Sequence, residues 1–155
     1  MKLNTSSDYS ALGYRLSNLM VDGVPCLTRF ATPPTARALK AFSAGLSICG
    51  NISLFHLEGV TPDSEDPELV ALIGEIDHIL VSDEDLGRVY GKLAGPTGAR
   101  IDCVAIGCPH LDMSELREVA KVLERKRKRV LPKVRAWIFM SKALKDKADQ
   151  EGSRE

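Results

Sequence analysis

A cysteine and a histidine stand two residues apart in the segment Gly107-Cys108-Pro109-His110, directly after an apolar run. A proline disfavours helical backbone in the residue before it, so Cys108 is predicted to be extended. Side chains two apart on extended backbone point the same way. A thiolate attacks electrophiles and binds metals, and an imidazole transfers protons near neutral pH. The segment therefore predicts a metal ligand or a nucleophile with a neighbouring imidazole.

The residues that follow carry a strong helix-start signal. Asp112 is a favourable N-cap with Glu115 three residues later, and Leu111 and Leu116 occupy the positions of a hydrophobic staple. A helix is therefore predicted from residue 113 to about residue 128, with an inward face formed by Leu116, Val119, Ala120 and Leu123. Because the N-terminal end of a helix has positive potential, a thiol just ahead of it is favoured as thiolate.

Strands and helices alternate along the rest of the chain. This order, with mostly short loops, predicts an α/β fold with a mostly parallel sheet and helices on its faces, in three layers. In such sheets ligands lie beyond the carboxyl ends of the strands, which places Cys108 and His110 on a rim. The predicted strands are residues 52–57, 78–81, 101–106 and 134–139, and the predicted helices include 67–73, one capped by Ser82 and Asp85 that runs to about Leu93, and one capped by Ser141.

Weaker patterns occupy the N-terminal part of the chain. Residues 11–21 have no clear period, and Thr32 followed by two prolines is predicted to open a helix with Phe42 and Leu46 on its apolar face. Gly45 weakens that pattern. Three thiols are predicted to be small buried hydrophobes: Cys26, Cys49 and Cys103.

Length and composition set broad limits. A chain of 155 residues with 44% hydrophobic and 27% charged residues suits one domain. We assign it to residues 1–148 and expect a disordered tail at 149–155. No apolar run approaches a membrane span, and four cysteines without a secretory signal predict a cytoplasmic protein with reduced thiols.

The formal net charge is zero, but the charges are unevenly distributed. Residues 58–85 contain acidic residues and no Lys or Arg, whereas residues 121–147 are strongly basic. The basic run 125–129 is interpreted as the solvated end of a helix, where cations complement the dipole. Nucleic-acid binding is not favoured, because no aromatic residue interleaves with these charges.

Five segments spread along the chain have a recognisable order: residues 7–14, 54–63, 81–86, 105–116 and 135–144. In this order they resemble the catalytic large subunit of the aconitase X family. The resemblance covers nearly the whole chain, and ordered matches are more specific than any single motif. Family subunits are much longer, so the chain resembles an internal fragment, a partial domain of a larger catalytic subunit.

The resemblance implies a hydro-lyase that acts on a small hydroxy acid such as 5-phosphomevalonate or a hydroxyproline. It also implies an iron–sulfur cluster, a small swivelling subunit and further catalytic-domain segments. Cys108 carries over as the candidate cluster ligand; His110 and Ser141 are candidates for proton transfer, and His56 and Thr61 for substrate binding. Because such clusters normally need three or four protein ligands, the isolated chain is expected to be inactive and not to hold the cluster alone.

Simpler interpretations accompany these assignments. His56, inside an apolar strand, is more often a structural histidine, and Asp83 at a helix start is better explained by favourable charge placement. Two other functions remain open: a cysteine-dependent enzyme that uses Cys108 with His110 and no iron, and a non-catalytic remnant that binds a partner.

Overall fold

The computed structural model describes residues 2–20, 23–30, 32–50, 52–125 and 133–151. The chain divides into two compact units, Met1–Ala94 and Gly95–Glu155, which we call the N-terminal unit and the C-terminal unit. The sequence had predicted one domain through residue 148. Each unit has its own pair of parallel strands.

The N-terminal unit is mainly helical. Its core joins one face each of α1, α2 and α4, and Leu12 and Leu46 are only 2% exposed. The strands β1 and β2 pair in parallel, with Cys26 opposite His56. In chain order its elements are α1 (Ser6–Leu19), β1 (Cys26–Leu27), α2 (Ala36–Ser47), β2 (His56–Leu57), α3 (Pro67–Ile73) and α4 (Asp83–Leu93).

Helix α1 is an element that the sequence analysis missed. Thr5 caps it: its hydroxyl accepts a hydrogen bond from the Asp8 backbone N–H at 3.2 Å, while the Asp8 carboxylate accepts from the Thr5 N–H at 2.8 Å. This reciprocal capping box was present in the sequence as a signal. Helix α2 begins three residues later than expected, because Thr35 rather than Thr32 caps it.

Helices α1 and α2 approach each other closely through two glycines. A Cβ atom on Gly13 would collide with the backbone oxygen of Phe42, and one on Gly45 would collide with the backbone oxygen of Ser10. Gly45 is therefore not a weak point of the helical pattern. It permits backbone contact between the two helices.

The C-terminal unit consists of two strands and two helices. Strands β3 (Cys103–Ile106) and β4 (Arg135–Ile138) pair in parallel along four residues each, from Cys103 opposite Arg135 to Ile106 opposite Ile138. They are followed by α5 (Met113–Arg125) and α6 (Lys142–Gln150). Asp149 and Gln150, assigned from sequence to the tail, lie in α6. Residues 126–132 and 152–155, with most of the basic run, lie outside the described residues.

The α/β class with parallel strands is confirmed, but the predicted strands shorten or disappear. Only residues 56–57 of the predicted strand 52–57 pair, and residues 78–81 form no strand. Leu80 in that segment is 91% exposed. Apolar character predicted a strand there, but a strand needs a partner for its backbone groups, and none pairs with it within the described ranges.

No helix in the described ranges is long and apolar enough to cross a bilayer.

Candidate functional site

The segment that carries Cys108 is fixed to strand β4 by backbone hydrogen bonds. Phe139 N–H donates to the Ile106 carbonyl at 2.8 Å, and Leu111 N–H donates back to the Phe139 carbonyl at 3.0 Å. The Leu111 side chain is buried. The loop between β3 and α5 is therefore held at both ends, and Cys108 lies between those anchors.

Gly107 cannot be replaced freely at the start of this loop. Its φ is +128°, a conformation that L side chains rarely adopt, and a Cβ there would lie 2.5 Å from the Phe139 carbonyl oxygen. The glycine thus lets the chain turn out of β3 directly against β4.

The predicted start of α5 is confirmed in its hydrogen bonds. Asp112 Oδ1 accepts from the Ser114 and Glu115 N–H groups at 2.8 and 3.0 Å, and the Asp112 N–H donates to Glu115 Oε2 at 2.9 Å. This is a complete capping box. Cys108 accordingly lies four residues before the cap, on the side of the helix that has positive potential.

Both chemical groups of the motif are open to solvent. Cys108 and His110 are exposed and Pro109 is half-buried. An exposed thiol ahead of a helix N-terminus can bind a metal or react with an electrophile, and an exposed imidazole can exchange protons with a ligand.

Ser141 follows the neighbouring strand β4. It caps α6, with its Oγ accepting a hydrogen bond from the Leu144 N–H at 3.2 Å. Because β3 and β4 are parallel, the segments after them share one edge of the sheet. The structure therefore brings Cys108, His110 and Ser141 to the same rim.

His56 and Thr61 belong to the other unit. The Thr61 hydroxyl accepts from the Leu57 N–H at 2.9 Å and donates to the Leu57 carbonyl at 3.3 Å, which closes the turn after β2. His56 is half-buried within β2, and its backbone N–H donates to the Pro25 carbonyl. These contacts give both residues a local structural role, and their predicted contact with substrate stays a prediction.

Sequence reasoning missed polar groups at the carboxyl end of β1. Arg29 has a positive φ of 63°, and its backbone N–H donates to Glu58 Oε2 at 2.9 Å. The two-residue strand β1 gave no period, but the apolar run beside Pro25 was a usable signal for it. Arg29 and Glu58 thus follow neighbouring parallel strands, as Cys108 and Ser141 do in the other unit.

The acidic residues at the start of α4 cap the helix. Ser82 and Asp85 form a capping box, and Arg15 Nη2 lies 3.1 Å from Asp85 Oδ1. The Ser82 hydroxyl and N–H, with Arg15 and Arg88 nearby, lower the pKa of Asp85. These partners support the interpretation that the acidic residues stabilise the start of the helix and do not take part in catalysis.

The predicted burial of three thiols is wrong for two of them. Cys49 and Cys103 are exposed, and Cys26 is half-buried. Cys49 lies beyond α2, and Cys103 lies in a strand whose residues are all exposed. Burial, with the Glu58 carboxylate nearby, raises the pKa of the Cys26 thiol.

Within the described ranges, no group of three His, Cys, Asp or Glu side chains is arranged to hold a metal ion. Cys108 can supply one thiolate, and an iron–sulfur cluster normally takes three or four protein ligands. These residues therefore do not fit a complete cluster site.

Two family models match the chain in succession. Residues 1–91 match the aconitase X second domain and residues 101–155 match the aconitase X third domain. The division between the matches falls where the structure divides into its two units.

Curated relatives are similar along almost the whole chain. The phosphomevalonate dehydratase large subunit of Thermococcus kodakarensis is 32% identical over 154 residues, which are 99% of this chain and 38% of that protein. The cis-3-hydroxy-L-proline dehydratase of Pseudomonas aeruginosa is 32% identical over 149 residues, 93% of this chain and 25% of that protein. The chain therefore spans between a quarter and two fifths of these relatives.

A solved structure has the same fold. The chain resembles the crystal structure of Thermococcus kodakaraensis aconitase X in its holo-form, with a TM-score of 0.77 and 31% identity. The match covers 97% of this chain and 37% of that one.

Proposed function

The chain belongs to the aconitase X family, and we propose that it forms part of the large subunit of a dehydratase that removes water from a small hydroxy acid. The observation that carries this proposal is the succession of two family domains along one chain, each coinciding with one compact unit. The substrates named for the relatives make 5-phosphomevalonate and cis-3-hydroxy-L-proline the first two candidates. The first would place the enzyme in the mevalonate pathway, in the cytoplasm.

Loss of water from a hydroxy acid requires a base that removes a proton next to an activating group and an acid that helps the hydroxide to leave. His110 and Ser141 lie on the rim that carries Cys108, and we assign proton transfer to them. His56 and Thr61 are assigned to substrate binding.

The complete enzyme is proposed to contain an iron–sulfur cluster, with Cys108 as one ligand. The remaining ligands would come from other catalytic segments, because the described residues do not complete a site. The name "large subunit" of the relatives implies a small subunit as the further partner.

Complementation tests this proposal. The 155-residue chain is combined anaerobically with iron, sulfide, the Thermococcus large subunit lacking its matched region, and the small subunit. Dehydration of the two candidate substrates is then assayed. Turnover is expected only from the complete mixture, and Cys108→Ser should abolish it.

Cys103→Ser is the matched control, since Cys103 is also an exposed thiol of the C-terminal unit but lies within β3. It should retain turnover. A stoichiometric cluster with turnover in the chain alone would refute the fragment interpretation, and an inert complete mixture would count against the dehydratase. Iron-free turnover that alkylation of Cys108 abolishes would support a cysteine-dependent enzyme instead.

A further inference from the structure

The β3–β4 sheet of the C-terminal unit is exposed along its whole length. All eight residues of the two strands are exposed, and Trp137 and Phe139 are 51% and 45% exposed. Their rings pack edge to face with centroids 6.4 Å apart, and Arg135 lies over the Trp137 ring at 5.7 Å. We call the two strands with Phe139 the bare sheet.

Parallel sheets in proteins are covered on both faces, and a two-stranded sheet is marginal alone in water. The bare sheet has the residues of a buried sheet: Val104, Ile106 and Ile138 are aliphatic, and all three are exposed. Each strand also has one outer edge that no described strand occupies. Both the faces and the edges therefore have the character of an interface.

Helix α5 also has exposed apolar side chains. Leu116 and Val119 are half-buried, but Leu123, predicted from its spacing to face inward, is exposed, as are Ala120 and Val122. The apolar stripe of α5 thus adds to the uncovered apolar area of the unit.

The geometry points to the bare sheet as the docking surface for the other segments of a dehydratase large subunit, which would add a parallel strand at its edge and cover Trp137 and Phe139. This inference rests on the proposed function. The segments that would occupy this surface are identified by comparing chain lengths. The solved relative matches this chain at a TM-score of 0.77, yet the match covers 37% of the relative. More than half of the relative is thus available to pack against the equivalent surface.

Trp137 is the single tryptophan of the chain and reports directly on this surface. The probe is the Thermococcus large subunit lacking its matched region, mixed with the full 155-residue chain without iron or substrate. On docking, Trp137 emission should shift to shorter wavelength and resist acrylamide quenching, measured as the difference from Trp137→Phe. Amide hydrogen exchange should slow in residues 103–106 or 135–138, because strand addition protects an edge.

Trp137→Lys should weaken the association about tenfold or more, as expected for an aromatic residue at the centre of an interface. Ile48→Lys is the matched control: it places the same charge on a side chain that is 61% exposed in the N-terminal unit. It should bind within about twofold of the parent chain. Circular dichroism checks that both variants are folded.

Equal weakening by the two lysine variants, or absence of any association, would overturn the proposal. So would self-association of the chain alone that Trp137→Lys abolishes, because a second copy would then be the occupant. If the truncated Thermococcus polypeptide does not fold, the chain is inserted in place of the matched region of that subunit. Unshifted Trp137 emission in this chimera would likewise overturn it.

The docking readouts require neither substrate nor cluster, so they separate this inference from the proposed function. A complex that forms but does not turn over substrate would contradict the proposed dehydratase function and support the docking surface. Turnover that is unchanged by Trp137→Lys would support the dehydratase function and contradict the docking surface.

Discussion

The two units place their parallel strands in different environments. In the N-terminal unit the strands are two residues long, and Leu57 of β2 is fully buried. In the C-terminal unit the strands are twice as long and equally apolar, yet every residue in them is exposed. Strand length and hydropathy therefore do not decide burial. The elements that pack against the strands decide it.

Helices of the N-terminal unit approach each other closely. Gly13 and Gly45 let α1 and α2 meet backbone to backbone, and Phe42 of α2 packs edge to face on Phe55 with ring centroids 4.9 Å apart. In the C-terminal unit, the buried hydrophobic side chains among the described residues are Leu111 and Ala148. The N-terminal unit has a larger buried core, and the sheet of the C-terminal unit is exposed.

The largest expected difference comes from truncating core residues. Leu46→Ala should destabilise the N-terminal unit by about 2–5 kcal/mol, because it removes a fully buried side chain and leaves a cavity. Leu123→Ala in α5, the same substitution at an exposed site, should cost less than about 0.5 kcal/mol. Urea unfolding followed by circular dichroism measures both changes in the free energy of unfolding. Equal losses of stability would contradict the difference in burial between the two sites.

A smaller effect is expected from filling the gap between α1 and α2. Gly45→Ala should destabilise the unit by about 1–3 kcal/mol, because the added methyl group collides with the Ser10 backbone. Gly91→Ala in α4 is the control, since a Cβ there meets nothing within 4 Å. It should stabilise by up to about 1 kcal/mol through helix propensity. Thermal unfolding distinguishes the two, and stabilisation by both would show that the helices separate easily.

Acid should weaken the helix caps of the N-terminal unit. Burial raises the pKa of Asp8, but hydrogen bonds from Tyr90, Asn4 and Thr5 outweigh it and leave the pKa below its usual value; the pKa of Asp85 is also lowered. A carboxyl group with a lowered folded-state pKa stabilises above its unfolded pKa of about 4 and loses that contribution as pH falls through the folded value.

Melting temperatures between about pH 6 and pH 2 test this expectation. The drop should be smaller in Asp8→Asn/Asp85→Asn than in the parent chain, because the variant has already lost the contribution that protonation removes. Glu65→Gln, on an exposed loop residue, is the control and should follow the parent curve. A double variant with the full acid dependence of the parent would show that the caps do not carry it.

The smallest expected effect is on thiol reactivity and does not involve stability. Cys26 and Cys103 each begin a parallel strand, but Cys26 is half-buried with a raised pKa whereas Cys103 is exposed. Timed alkylation at pH 7.5 with mass-spectrometric mapping should label Cys103 several-fold faster, because Cys103 is more accessible and the raised pKa of Cys26 lowers the thiolate fraction of Cys26. Labelling of Cys26 at the rate of Cys103 would contradict the difference between the units. Cys108 is still expected to react fastest, since it precedes the N-terminus of α5.

Local signals in the sequence predicted local structure well. The Asp112–Glu115 capping box, the Ser82 cap of α4 and the Ser141 cap of α6 are confirmed, because a cap joins residues no more than three apart. The loop that carries Cys108 and His110 was located for the same reason. Helix α1 was missed although Thr5 and Asp8 carried the same type of signal.

Long-range features were predicted less well. The strand at 78–81 was wrong because apolar residues favour a strand only where another strand accepts its hydrogen bonds. Cys103 was predicted to be buried because it lies inside an apolar strand, and Leu123 because of its spacing along a helix. Both patterns identify a face of an element without saying what covers that face. Residue types alone also did not reveal that Gly45 lies against the backbone of α1.

The sequence by itself determined the family, the parallel α/β class, the starts of four helices (α3 to α6) and the position of Cys108, His110 and Ser141 beyond strand ends. These depend on residues close together in the chain or on ordered motifs. Only the tertiary structure decided that the chain forms two units, that Gly13 and Gly45 lie where α1 and α2 touch, and that the strands of one unit are half-buried or buried while those of the other are exposed. Burial depends on which surfaces meet in space, and those contacts join residues far apart in sequence.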